Sequence, residues 1–214
     1  LIKRRVESAL ASEDFLVVVD HVPAIAVAEE APEKAYVAGA LFSDGHIRVQ
    51  RTKGSVVFVQ KPTEDKQAFI TAVEERFETA FHEPLKRARV RFSHGVLRGR
   101  AIAGFAQDSR CTRRHIAVDL SEIRTTADAW VLRHSEADLL EFLAGYVDGD
   151  GTYAAASSPI RLQIVVSAKN QVLLRAIVLA CQRIGVVPQL SRNRDAHLVQ
   201  QPARRDAVRN STAP

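Results

Sequence analysis

A chain of 214 residues with 46% hydrophobic content can bury one sizeable core or two small ones, which excludes the disordered and fibrous classes. Cys111 and Cys181 stand far apart without a CxxC partner; this argues against a disulfide framework or zinc site and for buried thiols. No run approaches the roughly 18 apolar residues of a membrane helix, and Leu1-Ile2-Lys3-Arg4-Arg5 lacks the apolar stretch of a signal peptide, so an intracellular, cytoplasmic protein with no membrane partner is expected.

In chain order, residues 1–30 read as a leader with one strand at Phe15 to Val19. Pro32 suits the first turn of a helix, and Tyr36, Val37, Ala40 and Leu41 follow at helical spacing. Ile47 and Val49 alternate with Arg48 and Gln50, Lys53-Gly54 supplies a turn, and Val56 to Val59 completes a hairpin. Thr63 is the expected N-cap of a helix that buries Phe69, Ile70, Val73, Phe77 and Phe81. Two strands are expected around Arg89 to Phe92 and Val96 to Phe105, then a helix over Thr112 to Ile123. The pattern then restarts. Ser135 and Asp138 form a capping signal before the apolar stripe Leu139, Leu140, Phe142, Leu143 and Val147. Thr152 to Ala155 and Arg161 to Val166 read as another hairpin, and Val172 to Ile184 as a helix ended by Gly185. Beyond Leu190 to Leu198 the tail is polar. The divisions are a leader over 1–30, a first repeat over 31–130, a second over 131–200 and a tail over 201–214, a duplication with a period of about a hundred residues.

The two units share a phrase. Val37-Ala38-Gly39-Ala40-Leu41-Phe42-Ser43-Asp44-Gly45 returns as Leu143-Ala144-Gly145-Tyr146-Val147-Asp148-Gly149-Asp150-Gly151. Both are apolar helical stretches with small residues in the middle, and both deliver a carboxylate just ahead of a glycine suited to a left-handed cap. A negative charge at the C-terminal end of a helix costs a few tenths to about 1 kcal/mol. Made twice, that choice points to a paired site where a bound cation compensates. Ala38, Gly39, Ala144 and Gly145 would let two such helices approach closely.

In these phrases the chain resembles the LAGLIDADG homing endonucleases, as a single-chain, two-repeat member of the kind embedded in inteins. The resemblance runs from about Glu30 to Leu198. The second copy departs from the signature at Tyr146, Val147 and Gly149. The first is looser, with Val37, Ala40, Leu41, Phe42 and Ser43 as departures. The resemblance implies an α+β fold of two αββαββα repeats in a pseudo-twofold arrangement, the second truncated, with antiparallel sheets forming a saddle over duplex DNA. It also implies that Asp44 and Asp150 bind metal and catalyse. Gln60 takes the place of a polar residue that orients water around the metals; Ser167, its counterpart, is a poorer match. A basic residue near the scissile phosphate is also implied: Arg110 and Arg113 are the candidates in the first repeat, and Lys169 lies too early in the second.

The chemistry fits. Two neighbouring carboxylates repel each other unless divalent cations lie between them, and Mg²⁺, or another divalent cation, suits an oxygen-only site. Such ions activate a water and stabilise the leaving oxygen of a phosphodiester. Asp148-Gly149-Asp150-Gly151 does not open an EF-hand, since positions six and twelve are Tyr153 and Pro159. Between Lys86 and Arg114 every charged residue except Asp108 is basic, which attracts a phosphate backbone. Thr63 to Ala80, rich in Glu, reads as a face turned away from DNA. Arg48 with Gln50, Arg89 with Arg91, Arg98 with Arg100, and Arg161 with Gln163 lie two apart, as one face of a strand requires. With Arg51 and Lys53 they form the expected DNA-binding set, Arg and Gln being suited to guanine and adenine edges; His46 is a further possible contact.

The function expected is site-specific cleavage of double-stranded DNA by a monomer with internal pseudo-dimer symmetry. The rivals are a catalytically inactive DNA-binding module and an RNA maturase on the same fold. The chain has no methionine and opens on Leu, so it is expected to be a piece of a longer protein. It carries neither the N-terminal nucleophile nor the C-terminal His-Asn of self-splicing.

Overall fold

A computed structural model describes residues 22–24, 29–97, 100–154, 161–164, 170–186 and 188. The leader strand, Arg98, Ser167, Lys169, the stretch from Leu190 to Leu198 and the tail lie outside the described residues.

Helix α1 (Pro32–Asp44) begins with the expected proline. Every residue from Ala35 to Phe42 is buried, as a helix that is apolar all round must be. Its last residue leads directly into β1 (Gly45–Val49), which pairs antiparallel with β2 (Gly54–Gln60) in the expected hairpin. Helix α2 (Glu64–Phe81) buries Phe69, Ile70, Val73 and Phe77. Thr63 holds its N-cap position, but its hydroxyl makes no capping bond; Glu64 and Asp65 in the first turn complement the helix dipole instead.

The next strands are β3 (Lys86–Arg87), β4 (Arg91–Leu97) and β5 (Arg100–Cys111). All three other members of this part of the sheet, β2, β3 and β4, pair antiparallel with β5. The break expected between Phe92 and Val96 is absent. Ser93, His94 and Gly95 stay in strand because Gly104, Ala103 and Ile102 of β5 stand opposite them and satisfy their backbone.

Helix α3 (Arg114–Thr125) is followed by a short helix, α4 (Ala127–Val131), that the sequence pattern did not signal. The second unit then runs α5 (Glu136–Asp150), β6 (Gly151–Ala154), β7 (Arg161–Ile164) and α6 (Gln171–Arg183), with β6 and β7 antiparallel. Helix, hairpin and helix thus recur in the same order in both units. Asn170 caps α6 by accepting from the backbone N–H of Leu173 at 3.1 Å, and Gly185 after its end is left-handed, with φ of 74°.

The core is centred on α1, which packs along α5 on one side and against α2, β1 and β2 elsewhere. Val56 and Phe58 of β2 point into it, with Cys111 and Ser109 of β5 opposite them. On the outer face His46 lies opposite Val57 and Arg48 opposite Ser55, followed across the sheet by Arg110 opposite Val57 and Asp108 opposite Val59. A buried arginine, Arg183 of α6, donates to the carbonyls of Val131 at 2.6 Å and His134, capping the end of α4.

Candidate functional site

The small residues at the centre of each phrase let α1 and α5 meet backbone to backbone. A Cβ added to Gly39 would stand 2.1 Å from the carbonyl oxygen of Phe142 and 2.8 Å from the backbone nitrogen of Tyr146. One added to Gly145 would stand 2.1 Å from the carbonyl oxygen of Tyr36 and 3.1 Å from the nitrogen of Ala40. Tyr36 and Phe142 occupy the same place relative to the two phrases, as do Ala40 and Tyr146, so the contact is reciprocal. Ala38 is buried but Ala144 is exposed, which corrects its expected place in the interface. One residue before Gly145, it sits about 100° round the helix from the contact. Leu140, expected in the apolar stripe, is likewise 54% exposed.

The glycine after each carboxylate is not left-handed. Gly45 has φ of −113° and Gly151 of −68°. Glycine is needed there for space. Each chain leaves its helix directly as a strand, so a Cβ at Gly45 would lie 2.4 Å from the carbonyl oxygen of Leu41, and one at Gly151 2.2 Å from that of Val147.

At this end of the helix pair the phrases converge again. Gly149 abuts Ser43 and Asp44: an added Cβ would lie 2.0 Å from Ser43 Oγ and 2.8 Å from Asp44 Oδ2. The two carboxylates consequently sense one another. Burial pushes Asp44 above the usual carboxylate range, the charge of Asp150 pushes it further, and Lys66 and Gln60 oppose the shift. Burial also raises Asp150, against the Tyr146 hydroxyl and Lys66. Each acid has one oxygen held by a neutral donor. Gln60 Nε2 donates to Asp44 Oδ2 at 2.5 Å, and the Tyr146 hydroxyl donates to Asp150 Oδ2 at 3.5 Å.

Gln60 reaches Asp44 because even-numbered residues of β2 face inward, leaving it buried at the strand's end. Lys66, in the first turn of α2, donates to the carbonyl oxygen of Asp148 at 3.0 Å. The sequence offered a clue to it only through helix spacing, since α2 read as an acidic face turned away. Tyr36 was also missed as a site residue. Its hydroxyl donates to Asp148 Oδ2 at 2.7 Å, and Arg76 lies 4.2 Å from its ring centre while pairing with Glu141 at 2.5 Å. Burial and Asp148 together raise the Tyr36 hydroxyl above its ordinary range. At the other end of the helices, Asp138 does not complete the expected capping box. Its backbone N–H donates to Ser135 Oγ at 3.1 Å, but its buried carboxylate accepts from Ala31 N, 2.9 Å away at the start of α1.

Pairing also revises the charge reading. Glu74, expected on a face turned from DNA, holds Arg87 Nη2 at 2.5 Å and accepts from Ser109 Oγ. Arg87 therefore belongs to the inner side of the sheet. Arg91 and Arg110 share Asp108, at 3.1 and 3.9 Å. Arg113 pairs with Glu83 at 2.7 Å and adjoins Arg114, whose backbone abuts Gly54. Gly54 and Gln60 lie at opposite ends of β2, about 20 Å apart at strand rise, so Arg113 stands far from the carboxylates.

Of the expected DNA-binding set, Arg48, Gln50, Arg51, Lys53, Arg89 and Arg91 are exposed. Arg48, Gln50, Lys53 and Arg114 line one recess of about 300 Å³ at the first hairpin, and Arg114 Nε donates to the Gln50 carbonyl at 3.3 Å. Arg100 lies in β5, while Arg161 and Gln163 lie in β7 opposite Ala154 and Thr152. Among the described residues no group of three or more His, Cys, Asp or Glu could hold a metal by itself. The oxygen chemistry nevertheless fits a divalent cation: two neighbouring carboxylates, Asp44 half-buried and Asp150 exposed, each with one oxygen held by a neutral donor.

Residues 137–208 match the LAGLIDADG-like domain family. The chain is 26% identical over 180 residues to a Methanocaldococcus jannaschii protein described as probable phosphoenolpyruvate synthase, covering 83% of this chain but 14% of that one. Among solved structures it is similar to mesophilic variants of the homing endonuclease I-DmoI, at 12% identity and a TM-score of 0.46, covering 73% of this chain and 79% of that one. It is similar also to I-DmoI in complex with DNA and Ca, at 13% identity and a TM-score of 0.48, covering 73% and 74%. Among the described residues no helix is long and apolar enough to cross a membrane.

Proposed function

We propose that the chain, whose residues 137–208 match the LAGLIDADG-like domain family, is a metal-dependent, site-specific endonuclease that cuts double-stranded DNA. One observation carries the reading: two matching helices deliver Asp44 and Asp150 to one place, against the preference of both helix dipoles. Asp44 and Asp150 would hold the divalent cations. Gln60 fixes one oxygen of Asp44 and Tyr146 one oxygen of Asp150, which leaves the other oxygen of each to ligate. Bound there, Mg²⁺ or a similar ion would supply an activated water and charge neutralisation at the scissile phosphate.

Duplex DNA lies along the outer face of the sheets. The exposed Arg48, Gln50, Arg51, Lys53, Arg89 and Arg91, with Arg98, Arg100, Arg161 and Gln163, bind it there. Arg114 joins them by sharing the recess of Arg48 and Lys53. The paired helices form the pseudo-twofold axis of a monomer whose repeats span 31–130 and 131–200. Similarity to a short stretch of a much longer enzyme supports origin as an insert within a host protein, an intein working inside the cell. The uninterrupted host coding sequence is then the target.

The test is strand cleavage on supercoiled plasmid carrying that uninterrupted sequence, with Mg²⁺. Cutting by the wild type and not by Asp150→Asn supports the reading. Tight plasmid binding without cutting by either protein would establish the inactive DNA-binding module instead, and preferential binding of intron RNA the maturase.

A further inference from the structure

Neither phrase supplies its own counter-charge. The last turns of α1 and α5 contain no basic residue, yet two acids stand at those ends, where the last carbonyls already make the potential negative. A third element supplies what the helices lack. Lys66 extends from the first turn of α2, passes 5.4 Å from the centre of the Phe69 ring, and donates to the carbonyl oxygen of Asp148. That carbonyl belongs to the last turn of α5, and the ammonium charge acts on both Asp44 and Asp150. Among the described residues the aligned position of the second repeat carries no charge. With Thr63 and Asn170 aligned as the residues before α2 and α6, Lys66 corresponds to Leu173, which is buried.

We infer that Lys66 is a resident counter-charge for the Asp44 and Asp150 pair, a positioning residue that holds the two helix ends together before any divalent cation binds. It makes the site one-sided. One positive charge is built in beside the acids, and a divalent cation would supply the rest of the balance. The metal-binding part of this inference rests on the endonuclease reading, whereas the counter-charge part does not.

A double-mutant cycle on the full chain separates these parts. Melting temperatures are measured in EDTA at low ionic strength for wild type, Lys66→Arg and Lys66→Gln, each with the native acids and with Asp44→Asn and Asp150→Asn together. If Lys66 acts by charge, Lys66→Arg melts like the wild type and Lys66→Gln melts lower. That loss shrinks with added salt and disappears in the Asn background. Glutamine keeps a donor for the Asp148 carbonyl, so a Lys66→Gln protein that melts like the wild type, or a loss that persists in the Asn background, overturns the inference. The second readout is Mn²⁺ affinity at pH 8. Removing one positive charge beside the acids should tighten Mn²⁺ binding by roughly three- to tenfold, and no change overturns the inference. A wild type that binds no Mn²⁺ refutes the metal site itself, and the melting cycle then decides the role of Lys66.

Discussion

The two flanks of the helix pair differ more than the pair itself. Along the α1–α5 contact, Gly39 meets Phe142 and Tyr146 just as Gly145 meets Tyr36 and Ala40. Away from it, α1 is enclosed from Ala35 to Phe42, whereas α5 exposes Leu140 and Ala144. Asp44 has Gln60 from a neighbouring strand, and Asp150 has Tyr146 from its own helix. Backbone-to-backbone packing has one geometric solution, so both sides must obey it. A side chain reaching into the site from the periphery can be replaced by another that supplies the same donor or charge, and there the repeats have diverged.

The largest effect should come from breaking the reciprocal contact. Gly145→Val or Gly39→Val drives a branched side chain into backbone that cannot move aside. Overpacking of this kind costs about 1–3 kcal/mol and occasionally more, a large fraction of the total stability of a chain this size. Circular dichroism melts check this, and a variant that melts like the wild type refutes the close packing. Next comes the paired site. Asp44→Asn and Asp150→Asn should each lower the cleavage rate by about 10²- to 10³-fold, the scale expected when one electrostatic group is removed from such a centre.

The same substitutions should move stability the other way. Asp44 and Asp150 have raised values in the folded state, so the folded chain binds protons more tightly than the unfolded chain. Their contribution is most favourable when they are protonated and is lost as pH rises from the ordinary carboxylate range through the raised values. In EDTA at neutral pH both Asn variants should therefore melt above the wild type, with the difference vanishing in acid. Mg²⁺ should reverse the order: at 100 times its Kd it would stabilise the wild type by about 2.7 kcal/mol and the variants less. Equal shifts in all three proteins would show that the acids hold no cation.

Smaller effects sharpen the charge map. Arg48→Ala should weaken DNA binding at every sequence and reduce the slope of log K against log salt by about 0.9 if it meets one phosphate. Arg87→Ala should leave that slope unchanged while lowering the melting temperature slightly, because Arg87 is engaged with Glu74 on the inner side of the sheet. Fluorescence anisotropy across a salt series distinguishes the two.

How much was legible in advance follows from the range of each interaction. The paired phrases, their helices and the first hairpin could be read because apolar spacing and turn residues are local properties. Pro32 and Gly185 each act within a few positions of themselves, whereas the cap that Asn170 supplies to α6 was not read. The β4 boundary could not be read, since Ser93 to Gly95 stay in strand only through partners on β5. The glycines after the acids were identified correctly but for the wrong reason: a left-handed cap and a crowded extended exit both select glycine.

Sequence alone determined that two small-residue helices end in acids and that basic strands flank them, because composition and periodicity fix what each segment buries and carries. The tertiary structure alone decided which charges stay available: it gave Arg87 to Glu74, Arg113 to Glu83, and Lys66 to the end of α5. Electrostatic partners are chosen by distance in space, and residues 66 and 148 become neighbours only once α1 and α5 have packed beside α2.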